Sequence, residues 1–365
     1  MEFLKIARRL CGAAAVTLSV ASAAAPIASA QTLEKIAIGW PANFSSNMGH
    51  LTFANDLGFY RDEGLEVTII SLPGASAVMQ QILGGGIISG YAGVESAPMA
   101  LQPGATAIPI RFVYNYMRQS IWEMAVPEAS PIKTFADLKG KTIGTFNASS
   151  GNIIVTKAAL GVSGIKLDDV KLLPVGFGAP ALIAIKSNQV DALNLIDTSH
   201  ATFEASGFPL RRIAFPPQFE GNPSHGYPVT EDVLKTKRKT VIGLFRAISK
   251  GIIACDANLE ACIRSFWKAH PALKPTDVSE DEAMKRDVLI GRARLKKLLY
   301  FRPGQAKLMG AYSDEDWKGV IDALAVGGAI TKTDLPMDKL YTNELAKDFN
   351  DFDVAKVVGA AKAAR

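Results

Sequence analysis

In Phe135-Ala-Asp-Leu-Lys-Gly-Lys-Thr-Ile-Gly-Thr-Phe-Asn-Ala-Ser-Ser-Gly-Asn152 a turn, a strand and a polar loop follow one another. Asp137-Leu-Lys-Gly140 makes the turn. Thr142-Ile-Gly-Thr-Phe146 is short and apolar and predicts a strand. Asn147 to Asn152 is small and polar, and Ile153 to Leu160 predicts a helix capped by Ser149, Ser150 or Asn152. A helix that starts just past a strand leaves backbone N–H groups unpaired above the strand end. That is a place to hold a small polar ligand. The stretch carries no nucleophile–base pair and no metal ligands.

The same strand–helix alternation runs outward in both directions. Upstream, Glu34–Gly39, Leu65–Ile70 and Ser89–Gly93 predict strands, with helical spacing between them. Downstream, Val170–Val175, Val190–Ile196 and Leu210–Phe215 repeat the pattern. Such alternation predicts mostly parallel sheets flanked by helices. Ile110–Tyr114 and Trp122–Val126 are β-like, and Pro127 and Pro131 then interrupt the chain. A lobe boundary is expected there, giving a first lobe at 31–126, a second at 127–226, and a return to the first lobe at 227–365. From Thr230 onward the pattern is helical: Val233–Cys255, Leu259–His270, Asp281–Leu299 and Asp314–Gly327. This block is expected to pack back on the first lobe.

Residues 1–30 read as a cleavable export signal. Lys5, Arg8 and Arg9 form a charged head, an Ala-rich apolar run follows, and Ala28-Ser29-Ala30 suits signal peptidase. The mature chain is expected to start at Gln31 outside the cytoplasm, in a bacterial periplasm. No later segment is long and apolar enough to span a bilayer. The formal net charge is +5 and scattered, which leaves no nucleic-acid footprint. Cys255 and Cys262 remain after cleavage. In an oxidising compartment they form either a disulfide or two separate buried thiols, and their spacing does not suit a metal.

Lys35-Ile-Ala-Ile-Gly39, Gly58-Phe-Tyr-Arg-Asp-Glu-Gly-Leu-Glu-Val67, Asp137-Leu-Lys-Gly-Lys-Thr-Ile-Gly144 and Asn188-Gln-Val-Asp-Ala192 stand together in this order. With the export signal, they resemble the sulfonate/nitrate/taurine and thiamine-pyrimidine (SsuA/NMT1-like) branch of bacterial periplasmic substrate-binding proteins. That resemblance implies an α/β, two-lobed periplasmic binding protein type II fold. It implies delivery of a small solute to the permease of an ABC transporter, by a monomer without a cofactor. The solute classes implied are sulfonates, nitrate, pyrimidines and aromatic compounds. One departure stands out: Gly86-Ile-Ile-Ser-Gly90 has Ser89 where this branch commonly carries a turn aspartate.

Ligands in open α/β sheets lie at the C-terminal strand ends. In the first lobe this selects Trp40, Asn43, Phe44, Ser45 and Ser46, then Gly74 and Ser76, then Glu95 and Ser96. In the second lobe it selects Asn147, Ser149, Ser150, Gly151 and Asn152, then Phe177, then Asp197 and Thr198. Tyr227 reaches toward the cleft from the second crossing. Trp40 and Phe44 either stack on a ring or pack the first loop. Glu95 and Asp197 either accept hydrogen bonds from a ligand or cap helices. Arg118 sits by the hinge and pairs with an anion or with a surface carboxylate. His225 is placed on a loop surface, and the basic run Gly291–Lys297 on a solvated helix face. Two other functions compete. An enzyme on the same fold would need reactive groups, and only His50 and His200 approach the cleft loops. A ligand-sensing adaptor would need a separate membrane partner.

Overall fold

The computed structural model describes residues 32–147 and 152–365. The export signal expected at 1–30 and the candidates Ser149, Ser150 and Gly151 lie outside the described residues. In chain order the strands are β1 (Glu34–Trp40), β2 (Leu65–Ser71), β3 (Ser89–Gly90), β4 (Ala92–Gly93), β5 (Ile110–Met117) and β6 (Trp122–Pro127). They continue with β7 (Thr142–Thr145), β8 (Lys171–Pro174), β9 (Ala192–Ile196), β10 (Leu210–Ile213) and β11 (His225–Thr230). β1 lies between β2 and β3, parallel to both, and β11 lies between β4 and β5, antiparallel to both. Ser89–Gly93 is thus two short strands rather than one, divided at Tyr91.

The second lobe is one sheet of order β10-β6-β9-β7-β8. β7, β8 and β9 are parallel, and β6 runs against both of its neighbours. The first lobe holds two three-stranded sheets, β2-β1-β3 and β4-β11-β5, which follow the same plan when β3 and β4 are taken as one interrupted strand, with β11 as the reversed strand. The connections therefore cross at 118–121 and 214–224. This corrects the expected boundary at Val126. β6 is not the end of the first lobe but an inner strand of the second, because Trp122–Ala125 pairs with Ile196–Leu193 of β9.

The quoted motifs owe their residue types to this geometry. Gly39 and Gly144 occupy matching places near the ends of β1 and β7. A Cβ on Gly144 would stand 2.8 Å from Leu193 and 3.1 Å from Val175, and one on Gly39 would stand 2.7 Å from Ile87. Only glycine lets those side chains close over the strand. Thr134 and Asp137 cap the turn before β7, where the Asp137 carboxylate accepts the Thr134 N–H at 2.9 Å. Asp191 accepts the Thr142 N–H at 2.8 Å and so ties β9 to β7. The register corrects the expected place of Ser89: it pairs with Ile38 as Ala192 pairs with Ile143, so Ile88 stands where the second lobe has Asp191, and Ser89 donates 2.6 Å to the carbonyl of Pro228 in β11.

Helices Arg238–Ala257, Leu259–Ala269 and Val354–Ala363 pack around the first lobe, where Leu244, Phe245, Ile248 and Ile252 join its core. The rest of the helical block does not stay there. Glu280–Leu298 also packs on Asp197–Ala205, and Asp314–Val326 packs on Asn152–Val162, both in the second lobe. Their capping boxes, Ser279 with Glu282 and Ser313 with Asp316, fix where each starts. Arg118 belongs to this architecture rather than to a ligand. It is buried, donates to the carbonyls of Tyr300, Leu308 and Ala311, and lies over the Phe301 ring.

Cys255 and Cys262 are bonded, with Cα atoms 5.2 Å apart, across the junction of two helices. Cys262 also packs against Gly49, so the bridge props helix Gly49–Asp56. A loop this short gives about 2 kcal/mol in the chain-entropy account. A Cys255→Ala, Cys262→Ala double variant should lose that much unfolding free energy, read as a lower urea midpoint. Coincident urea curves for the two proteins would show the bridge to be energetically idle.

Candidate functional site

The C-terminal ends of β1, β2 and β4 face those of β7, β8 and β9 across a cavity of about 1750 Å³. Each strand delivers its following loop to the rim. Trp40 ends β1 and Asn43, Ser45 and Ser46 follow it, Gly74 and Ser76 follow β2, and Glu95 follows β4. From the other side come Asn147 and Asn152 after β7, Phe177 after β8 and Thr198 after β9. These eleven candidates share one cavity.

Four candidates lie away from it. Phe44 turns back onto His270, with ring centres 4.9 Å apart. Ser96 donates 2.7 Å to the Gly93 carbonyl inside its own turn. Tyr227 is fully buried beneath the site, edge-on to Tyr116 at 5.0 Å. Asp197 is buried as well and accepts 2.8 Å bonds from Arg294 and from the Thr198 N–H. Strand alternation identifies which loops reach the rim but not which residue of a loop turns inward.

Both walls are aromatic. On the first lobe Trp40 stacks on Tyr91 at 4.9 Å, and Tyr91 stacks on His225 at 4.4 Å. On the second, Phe146 and Phe177 stack at 4.0 Å, with Trp122 6.4 Å from Phe177. Offset ring pairs at such distances present a flat apolar face to a guest. His225 belongs to β11 rather than to a surface loop. Burial, reinforced by Arg294, pushes its pKa down to about 3 and keeps it neutral. His50 is likewise pushed down to about 3 and is hydrogen-bonded to Tyr116.

The floor is ionic and comes from a helix expected to be solvated. Arg294 is 2% exposed and lines the cavity, as does Lys297. Burial opposes the charge on Arg294, but Asp197, Tyr91 and Tyr116 outweigh it and hold its pKa above the ordinary value. Burial raises the Asp197 carboxyl against the pull of Arg294. A guanidinium keeps its proton, so Arg294 brings a full charge to the contact. Lys297 reaches Glu123 at 3.0 Å, and Glu123 also takes Arg212 at 2.7 Å and His200 at 3.3 Å. Burial would raise the Glu123 carboxyl, yet His200, Lys297 and Arg212 hold it well below the usual carboxylate range. Ile290, Arg294 and Lys297 fall at helical spacing on the face that also carries Gly291, Leu295 and Leu298. That spacing is the signal that would have taken Arg294 out of solvent. Among the described residues, no cluster of metal-ligating side chains is present.

Comparison with known proteins bears on the same lobes. A Haemophilus influenzae protein named for thiamine biosynthesis is 24% identical over 257 residues, covering 67% of this chain and 76% of its own. A Brucella abortus protein named as a binding protein is 28% identical over 142 residues, 39% of this chain and 42% of its own length. The periplasmic aliphatic sulphonate binding protein SsuA from Escherichia coli superposes with a TM-score of 0.61 at 17% identity. That superposition covers 86% of this chain and 99% of SsuA, and so shares the fold. The pattern of the NMT1/THI5-like family matches residues 45–260, more than half of the chain and most of both walls, and the protein belongs to that family.

Proposed function

We propose that this chain is an extracytoplasmic solute-binding protein, which closes over a small organic molecule in the periplasm and delivers it to the permease of an ABC importer. The cavity between matching strand ends, with an aromatic wall on each lobe, carries this reading. Its volume exceeds the roughly 300–1,000 Å³ of a typical small-molecule site, which suits an open form that must shut to bury its guest. The crossings at 118–121 and 214–224 are where such a hinge would turn. Relatives support the solute-binding part: SsuA is named for sulphonate binding, and the Brucella protein is named as a binding protein.

An enzyme would need a nucleophile beside a base. Cys255 and Cys262 are tied to each other, His50 and His200 are buried and engaged, and His225 is stacked and neutral. Binding without chemistry fits these groups better.

Thermal-shift screening of the purified protein against a broad solute library tests the proposal. One or more solutes should raise the unfolding temperature in a dose-dependent way. A flat response across the library would remove the transport reading. For any solute found, Phe177→Ala should weaken binding about ten-fold, because it removes one face of the second wall. Titration calorimetry reads that change, and equal affinities would place the guest elsewhere in the cavity.

A further inference from the structure

The charges around the cavity are unevenly matched. Each cation that lines it already holds a carboxylate: Arg294 holds Asp197 at 2.8 Å, Lys297 holds Glu123 at 3.0 Å, and Arg212 holds Glu123 and Glu204. Glu95 has no such partner among the described residues. It immediately precedes helix Ser96–Ala100, yet its side chain makes no capping bond there. Burial raises its pKa above the ordinary carboxylate value. Its carboxylate lies folded over Gly93, where any Cβ would collide with it. Gly93 pairs with His225 across the sheet, so the carboxylate sits beside the Trp40–Tyr91–His225 stack. Neutral His225 supplies no counter-charge.

We propose that Glu95 is the charge partner of the solute, and that the cleft takes a small organic cation bearing an N–H group rather than an oxyanion. This rests on the solute-binding reading above. A half-buried carboxylate without a cation is costly in an empty cleft, and an ammonium or amidinium group would restore its balance. The same group would lie against ring faces, where a cation is attracted by the π-system. An oxyanion would have to draw Arg294, Lys297 or Arg212 away from its carboxylate, and would be repelled by Glu95 unless that group took up a proton.

The test is a thermal-shift screen of the full protein and of Glu95→Gln against a library divided by charge: amines and amidines, neutral heterocycles, and sulfonates, carboxylates and nitrate. Calorimetry then follows on every hit. Hits are expected among the N–H cations. Glu95→Gln should weaken them about ten- to a hundred-fold, the range for a charged hydrogen bond. Gly93→Ala keeps the charge but displaces the carboxylate, and should weaken the same ligands while far-UV circular dichroism stays unchanged. Tight binding of a sulfonate or nitrate, or a cation bound equally by Glu95→Gln, overturns this inference and leaves the solute-binding reading standing. Silence from all three classes with a folded protein overturns both.

Discussion

Asp197→Ala is expected to cost about 3–5 kcal/mol of stability, the usual penalty for stranding one member of a buried ion pair. The substitution would leave Arg294, 2% exposed, without a counter-charge between the two lobes. Its Nε already lacks a partner, so the remaining hydrogen bonds are few. The pair is local to one interface, between helix Asp197–Ala205 and helix Glu280–Leu298. Removing both charges together, as Asp197→Leu with Arg294→Met, should therefore recover most of the loss. Urea unfolding of the three proteins decides the point. If Asp197→Ala unfolds within about 1 kcal/mol of the parent, the pair is not holding that interface, since ordinary surface changes fall in that range.

Glu123→Gln is expected to cost about 3 kcal/mol at neutral pH, because one carboxylate there serves Lys297, Arg212 and His200. The pH dependence carries a sign. The folded pKa of Glu123 is held below the ordinary value, so the contribution of its charge is present above the unfolded pKa of about 4.3. It is lost as pH falls through the lower folded value. The gap between parent and variant should thus be constant from neutral pH down to about pH 5, then shrink as acid protonates the parent. Unfolding free energies measured across pH 7 to 3 give this curve. A gap that widened in acid would mean that the folded pKa of Glu123 lies above its unfolded value, the opposite of what its three partners should produce.

Strand positions were legible because apolar runs between glycines and polar turns leave few alternatives, and the motif around Gly140 marks β7 almost to the residue. The lobe boundary was not. β6 and β5 are equally apolar, and nothing local says that one strand pairs with β9 while the other pairs with β11. β11 itself, His225-Gly-Tyr-Pro-Val-Thr230, carries Gly and Pro and does not alternate, so it was legible only as a crossing. At the cavity, the loops that line it were legible, together with Trp40 at the end of β1 and Phe177 after β8. Tyr91, Trp122 and Phe146 were missed, because they sit within or beside strands, where core packing is the ordinary role. The floor was missed for a different reason: Arg294 lies in a basic run, and only its phase relative to Leu295 and Leu298 separates it from Arg292 and Lys296, which are exposed.

The matching strand orders of the two lobes have a consequence for assembly. All five strands of the second sheet, β6 to β10, come from one uninterrupted segment, residues 122–213. In the first lobe, β4 and β5 have no strand between them until β11 arrives from residue 225 onward. As the chain emerges from its amino end, the later half can finish its sheet while the earlier half still has an open gap. The half that begins first is completed last, and the space between the two halves takes shape only when that final strand slots in.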